Sequence, residues 1–184
     1  MDDPIGVILA GGRGRRIGGS KASIPLRGRP LISYSLETLG EALSDVVVLA
    51  KAETELPELP GVGIWIEPER DHHPLIGIAS ALALAGGRSV LVCAADLPFI
   101  TPELVRQLAA TGRVAVAAYQ GAIQPLLGRY DASVLQRLPR SGPVREAVLG
   151  LAPQVVEVED PKLLFNVNSP AELLQAASML EQTP

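Results

Sequence analysis

Short apolar, β-rich runs alternate along the chain with stretches of helical period, and turn-forming residues separate them. Ile5 to Ala10 shows no polar alternation, which predicts a strand buried on both faces. Pro30 to Leu39 predicts a helix: proline stands at its start, Leu31, Ile32, Leu36 and Leu39 form its apolar stripe, and Gly40 lies near its end. Asp45 to Ala50 reads as a second buried strand and Gly63 to Glu67 as a shorter third, with an acidic, proline-broken surface connection between them at Glu53 to Pro60. Ile76 to Leu84 has helical period closed by Gly86-Gly87, and Ser89 to Ala94 is a fourth strand. Thr101-Pro102-Glu103 combines an N-cap with a first-turn proline and opens another helix.

Beyond that point Val114 to Ala118 and Gln124 to Arg129 predict strands, and Ala132 to Leu138 and Pro143 to Leu151 predict helices. Gln154 to Glu159 alternates as a half-exposed edge strand does, and a last helix runs from Pro170 to about Glu181, capped by Ser169 with Glu172 three residues on. Strand-helix alternation through the first hundred residues predicts an α/β fold: an open, mostly parallel, doubly wound (Rossmann-like) sheet with helices on both faces. No repeat, linker or low-complexity stretch divides the chain, so a single domain over 1–184 is expected.

Composition narrows the class. At 184 residues with 47% hydrophobic, the chain can bury roughly 70% of its unfolded surface and needs no staple. Its net charge of -4 is too small, and its apolar content too high, for a disordered chain. Apolar runs such as Val46 to Ala50 fall far short of the roughly 20 residues of a membrane span, and the acidic start Met1-Asp2-Asp3 lacks the basic character of a targeting peptide. The single cysteine, Cys93, cannot form an internal disulfide and sits in an apolar run, which predicts a small buried hydrophobe. A cytoplasmic protein with no membrane partner is expected. Nucleic acid is not expected either: aromatics make up 3% of the chain, leaving few rings to stack bases.

The charge is unevenly placed. Pro4 to Leu36 contains no acid, yet it holds Arg13, Arg15, Arg16, Lys21, Arg27 and Arg29, six of the 16 basic residues. A basic patch on an otherwise acidic chain suits a small polyanion. Within it, Leu9 to Lys21 carries five glycines in thirteen residues directly after the first strand. Without Cβ atoms such a loop can aim successive N–H groups at phosphate oxygens, and the arginines and Lys21 add uncompensated charge. Two common phosphate loops fail at one diagnostic position each. The dinucleotide fingerprint starting at Gly12 meets Ile17 where its third glycine belongs, and the P-loop starting at Gly14 ends Gly19-Ser20-Lys21 with the last pair reversed.

Three further groups carry candidate chemistry. Asp96 follows the fourth strand, on the sheet edge that the glycine loop also leaves; it suits either a Mg²⁺ ligand or a turn-capping acid. Asn166 and Asn168 flank Val167, so in an extended chain both amides face one side, able to hold an acceptor phosphate or a metal-bound water, or to start the last helix. Glu67, Glu69, Asp71, His72 and His73 cluster after the third strand, but adjacent histidines turn poorly toward one centre and no third ligand has a recognised spacing. A solvated loop, rather than a zinc site, is expected there.

The stretch Leu9 to Lys21, L-A-G-G-x-x-x-R-I-G-x-x-K, resembles the signature loop of nucleotidyltransferases that join a nucleoside monophosphate to a small acceptor. Within that superfamily the chain is most similar to the molybdenum cofactor guanylyltransferase family. The resemblance extends through Gly28-Arg29-Pro30-Leu31-Ile32, Pro74-Leu75-Ile76-Gly77, Asp96-Leu97-Pro98-Phe99-Ile100, Gln124-Pro125-Leu126 and Phe165-Asn166-Val167-Asn168-Ser169-Pro170, in the family's order and over nearly the whole chain. It implies transfer of GMP from GTP to the phosphate of molybdopterin with Mg²⁺ as cofactor, and transient contact with proteins that deliver or receive the cofactor. It also implies a nucleotide-binding part over about 1–100 and an acceptor-binding part over about 101–184.

Residue by residue, the resemblance implies that Leu9, Ala10, Gly11, Gly12, Lys21, Gly77 and Asp96 bind the nucleotide. Arg16, Lys21 and Asp96 would be catalytic, Asp96 the metal ligand, and Asn166 and Asn168 part of the acceptor site. The family places a nucleotide-contacting acid in the third cluster, best matched by Glu69, with Glu67 and Asp71 as alternatives. The chain departs from the family's pattern at Leu49, where well-known members carry an asparagine near the guanosine, at Ser20 in place of a frequent Asp, and at His73 in place of a glycine. These departures bear on which base is chosen more than on phosphate chemistry, so a cytidylyl- or guanylyltransferase acting on another phosphorylated acceptor is the alternative. A non-catalytic nucleotide-binding regulator would be marked by loss of Lys21 or Asp96, and both are present.

Overall fold

A computed structural model describes residues 3–11, 21–68 and 71–181. Nine strands and five α-helices occur among them. They are β1 (Ile5–Leu9), β2 (Pro25–Leu26), β3 (Arg29–Pro30), α1 (Leu31–Ala42), β4 (Val46–Ala50), β5 (Gly63–Ile66), α2 (Pro74–Leu84), β6 (Val90–Ala94) and α3 (Pro102–Ala109). The second half adds β7 (Val114–Tyr119), β8 (Ala122–Tyr130), α4 (Val144–Leu149), β9 (Gln154–Glu157) and α5 (Pro170–Glu181).

Seven strands form one sheet in the order β5-β4-β1-β6-β8-β7-β9, and β2 and β3 make a separate small hairpin. β1 pairs in parallel with β4 and β6, β4 with β5, and β7 with β9; only β8 runs against its neighbours. The expected mostly parallel sheet is therefore present. Burial follows position: Val90 to Ala94 of central β6 are all buried, whereas β5 and β9 at the edges are mostly exposed. Side chains alternate across β1. Ile8 faces a core shared with Ile32 and Leu39 of α1 and Leu104 and Leu108 of α3, while Val7 faces Leu75 and Ile78 of α2 and Val148 of α4. Helices thus cover both faces. A third cluster joins Leu26, Leu31, Phe99, Val167 and Ala176, docking α5 beside the hairpin.

Local chemistry explains most boundaries. Thr101 caps α3 by accepting from the Leu104 N–H at 3.4 Å, and Pro102 occupies the first turn, where no N–H is needed. Ser169 accepts from the Glu172 N–H at 3.3 Å while Glu172 reaches back to the Asn168 N–H at 2.8 Å, a reciprocal cap at the start of α5. Three expectations need correction. α1 continues through Gly40 to Ala42, because buried Leu39 and Leu43 hold its last turn against the core. α2 begins at Pro74, since His73, an uncommon cap residue, accepts from the Leu75 N–H at 3.3 Å. Residues Ala132–Arg137 form a 3-10 turn, not an α-helix, in the short run between the capping Asp131 and Pro139.

Candidate active site

The strand order reverses at β1: β4 and β5 lie on one side, and the chain then crosses back to place β6 on the other. Loops leaving the carboxyl ends of β1 and β6 diverge at such a point and leave a crevice between them, where open α/β sheets bind ligands. Here the Ala10 N–H bonds the Leu49 carbonyl at 2.9 Å and the Ala95 N–H approaches the Leu9 carbonyl at 3.3 Å, so both loops start from fixed backbone. A cavity of about 470 Å³ opens at this edge, a size suited to a small-molecule site.

Leu9, Ala10 and Gly11 line the cavity from β1, and Lys21, Gly77, Asp96, Asn166 and Asn168 line it from four other segments. Each of these was expected at a nucleotide or acceptor site. Gly12, Arg16 and Glu69 lie outside the described residues. Gly77 packs closely on the crevice floor: a Cβ there would stand 3.1 Å from Leu9 Cδ1, so an added side chain would need Leu9 to give by a few tenths of an ångström. The Lys21 ammonium lies 2.8 Å from Asp96 Oδ2 and also donates to Asn168 Oδ1. Three segments far apart in sequence therefore meet at one cation.

The asparagine pair is held by the residue between its members. Val167 is fully buried and its N–H donates to the Asp96 carbonyl at 3.0 Å, fixing the 166–168 segment against the end of β6. Asn166 Nδ2 donates to the Leu164 carbonyl at 3.0 Å, which orients its amide. The Asn168 N–H, with Ser169, holds the Glu172 carboxyl below its usual range. Asp96 is the opposite case. Its Oδ1 is buried and accepts no hydrogen bond from the described residues, an unpaired lone-pair site beside an ion-paired Oδ2. That donor set, one hard carboxylate oxygen without a donor among the described residues on a side chain that lines the crevice, fits Mg²⁺, which takes few protein ligands and completes its shell with water and phosphate.

The far wall was less legible in sequence. Glu67, an alternative to Glu69, lines the cavity, whereas Asp71 does not. Lys51, at the end of β4, lies 3.0 Å from Glu67 Oε1 and donates to the Asp71 carbonyl at 2.7 Å. The 3.0 Å approach is ionic and poorly aligned for a hydrogen bond, so Oε1 has a counter-charge without a hydrogen-bond donor. His72 and His73 also line the cavity, His72 through an Nδ1 contact of 3.2 Å with the Gly11 carbonyl. The expected solvated loop is thus partly a wall of the site. No group of three or more His, Cys, Asp or Glu residues is arranged to hold a metal among the described residues. Leu49, which stands where an asparagine was noted in relatives, contributes apolar floor with Leu9 and Leu126. Cys93 is buried, and burial pushes its thiol up to about 12, as expected for an inert core residue.

A sheet of this order, with helices on both faces and a crevice of this make-up at its switch point, has the nucleotidyltransferase architecture. Residues 6–152 match the MobA-like NTP transferase domain, and the chain belongs to that family. It is 33% identical over 191 aligned positions to a molybdenum cofactor guanylyltransferase of Cereibacter sphaeroides, covering 96% of this chain and 97% of the relative. Among solved structures it is similar to molybdopterin-guanine dinucleotide biosynthesis protein A from Archaeoglobus fulgidus, with a TM-score of 0.73, 24% identity, and coverage of 97% and 99%. A nucleotidyl transferase from Methanothermobacter thermautotroptrophicus has the same fold at a TM-score of 0.83, with 22% identity and both chains fully covered. No described helix is long and apolar enough to cross a membrane.

Proposed function

We propose that this chain transfers GMP from GTP to the phosphate of molybdopterin, releasing pyrophosphate and forming the guanine dinucleotide cofactor. The observation that carries the reading is the junction at Lys21, whose ammonium touches both Asp96 and Asn168 in the crevice. Support also comes from the relatives named molybdenum cofactor guanylyltransferase, aligned over nearly the full chain. In the transfer, a phosphate oxygen of the acceptor bonds the α-phosphorus, and the α–β bridging oxygen leaves with its electron pair on pyrophosphate. The attacking oxygen is already anionic, so no side chain need remove a proton. What the chain must supply is alignment of mutually repelling anions and neutralisation of their charge.

Gly11, with Gly12, would present backbone N–H groups to the triphosphate. Lys21 would neutralise transferring and departing oxygens once a nucleotide competes for it, and Arg16 would add to that charge. Asp96 would hold Mg²⁺ through Oδ1, the oxygen that accepts no bond from the described residues. When bound, the metal would offset phosphate charge as a Lewis acid. Asn166 and Asn168, with Gln124 and Leu126 lining the same cavity, would receive the acceptor. On this division residues up to about 100 bind the nucleotide and those beyond it bind the acceptor. The test is incubation with GTP, Mg²⁺ and molybdopterin, with pyrophosphate and the dinucleotide measured by chromatography. Product with GTP and little with CTP supports the reading; product only with CTP, or none with either, refutes it.

A further inference from the structure

Residues 71–73 are fastened at successive points, and the transfer chemistry uses none of these ties. The Asp71 carbonyl accepts from the buried Lys51 ammonium at 2.7 Å. The His72 ring meets the Gly11 carbonyl through Nδ1 at 3.2 Å, and the His73 ring accepts from the Leu75 N–H through Nδ1 at 3.3 Å. The segment thereby joins the end of β1 to the first turn of α2, and both rings line the crevice.

The partners settle where each imidazole carries its hydrogen. A carbonyl oxygen only accepts, so His72 Nδ1 must bear a hydrogen. A backbone N–H only donates, so His73 Nδ1 must be bare. When neutral, the two neighbours are therefore opposite tautomers, His72 protonated on Nδ1 and His73 on Nε2. His72 Nε2 lies 3.6 Å from Glu53 Oε1, too far for a hydrogen bond and on an acid that is 68% exposed, so this contact adds little. The tie to Gly11 is what places the His72 ring.

We infer that His72 is a positioning residue for the triphosphate: its Nδ1–H holds the Gly11 carbonyl against the histidine wall, so that this oxygen does not confront the phosphates. The inference rests on the placement of a nucleoside triphosphate at Gly11 proposed above, and it concerns the phosphates rather than the base. A bare carbonyl oxygen and a phosphate oxygen both carry negative charge and repel across a dry crevice. A donor seated on the carbonyl removes that conflict before the nucleotide arrives. Lys51 and His73 serve the tie indirectly, by fixing the backbone on either side of the ring.

Calorimetric titration and steady-state turnover test this on wild type, His72→Phe, His72→Gln and His72→Asn. Asparagine Nδ2 is bonded to Cγ, as histidine Nδ1 is, and keeps the donor; glutamine carries its amide one carbon further out, and phenylalanine has none. His72→Phe and His72→Gln should weaken GTP with Mg²⁺ by about 3- to 10-fold, the worth of one neutral hydrogen bond, whereas His72→Asn should stay within about twofold of wild type. Turnover at saturation and the acceptor KM should hold within about twofold in all three, because the tie is the same in ground and transition states. Nitrogen-15 NMR, at a pH where both rings are neutral, should show hydrogen on Nδ1 of His72 and none on Nδ1 of His73. Wild-type GTP affinity in folded His72→Phe and His72→Gln, a loss in His72→Asn equal to theirs, a matching rise in acceptor KM, or a bare His72 Nδ1 overturns the inference alone. If His72→Phe shows no cooperative melt, His72→Gln against His72→Asn decides. Wild type that binds GTP and shows this pattern among the variants, yet forms no dinucleotide, overturns the transfer reading and supports the inference. Wild type that binds no nucleoside triphosphate overturns both.

Discussion

Replacing Asp96 with alanine separates what this residue does for the reaction from what it does for the fold. In the ligand-free protein its Oδ1 is buried without a donor among the described residues, a condition that costs about 1–3 kcal/mol. Its Oδ2 pairs with Lys21, but that lysine is 23% exposed and keeps its bond to Asn168, so loss of the carboxylate costs about 1 kcal/mol there. The two terms nearly offset, and the ligand-free melting temperature should stay within about 4 °C of wild type. Turnover should instead fall about 10²- to 10³-fold, the usual consequence of removing a group that stabilises transition-state charge. GTP with Mg²⁺ at a hundred times its Kd should stabilise wild type by about 2.7 kcal/mol, or roughly 5–11 °C, and the metal-dependent part of that shift should vanish in Asp96→Ala. Lys21→Ala should also cut turnover about 10²-fold or more. Because the two side chains touch, the double variant should lose little beyond the worse single one. Pyrophosphate release and thermal melts with and without ligand provide the readouts. Wild-type turnover in folded Asp96→Ala, or a ligand-free melting point lowered by more than about 10 °C, would refute the reasoning.

Gly128→Ala should destabilise by about 2 kcal/mol, seen as a melting point roughly 4–8 °C lower, because its Cβ would stand 2.5 Å from the backbone carbonyl of Ala115. An unchanged melting point would show that β7 yields freely at that contact. Tyr130→Phe removes the hydroxyl that donates to the Pro125 carbonyl at 2.6 Å; it should cost about 1–2 kcal/mol and raise the acceptor KM while leaving the GTP KM unaltered. The opposite KM pattern would contradict the acceptor assignment of that wall. Cys93 should resist thiol reagents at pH 8 in the native state and react on denaturation, since burial pushes its thiol up to about 12. As the unfolded thiol ionises near pH 8.5 while the folded one keeps its proton, stability should decline as pH rises from there toward 12, and Cys93→Ala should lessen the decline.

The parts of the molecule legible in the sequence are those where one local signal settles the outcome. Unbroken apolar runs identified β1, β4 and β6, the alternation in Gln154 to Glu159 identified an edge, and Thr101-Pro102 and Ser169 with Glu172 identified helix starts. Gly11 and Lys21, the two described ends of the glycine loop, could be assigned to one edge with Asp96 because parallel strands all deliver their carboxyl ends there. Other parts depend on contacts across the chain. Lys51 follows an apolar run just as a solvated turn residue would; only Glu67 and the Asp71 carbonyl opposite it make it a buried cation. His73 is a poor cap by type, and the cavity wall formed by both histidines depends on where α2 begins. The continuation of α1 past Gly40 likewise rests on packing of Leu39 and Leu43, which outweighs the roughly 1 kcal/mol that glycine costs in a helix.

The reversed strand completes the site. β8 runs antiparallel to β6, pairing Tyr130 with Val90 at one end and Leu127 with Cys93 at the other. Its beginning therefore lies at the carboxyl end of β6, beside Asp96; a parallel strand would have begun at the opposite edge. Between β7 and β8 the register jumps from Val116 opposite Gly128 to Ala117 opposite Gln124. That irregularity leaves Pro125 to Leu127 unpaired with β7, and the Tyr130 hydroxyl braces it through the Pro125 carbonyl. Gln124 and Leu126 consequently line the same crevice as the asparagine pair, whose backbone is tied to Asp96 through Val167. On the proposed reading, a mostly parallel sheet gains the wall that would receive the acceptor from one strand of opposite sense and the irregularity in its pairing.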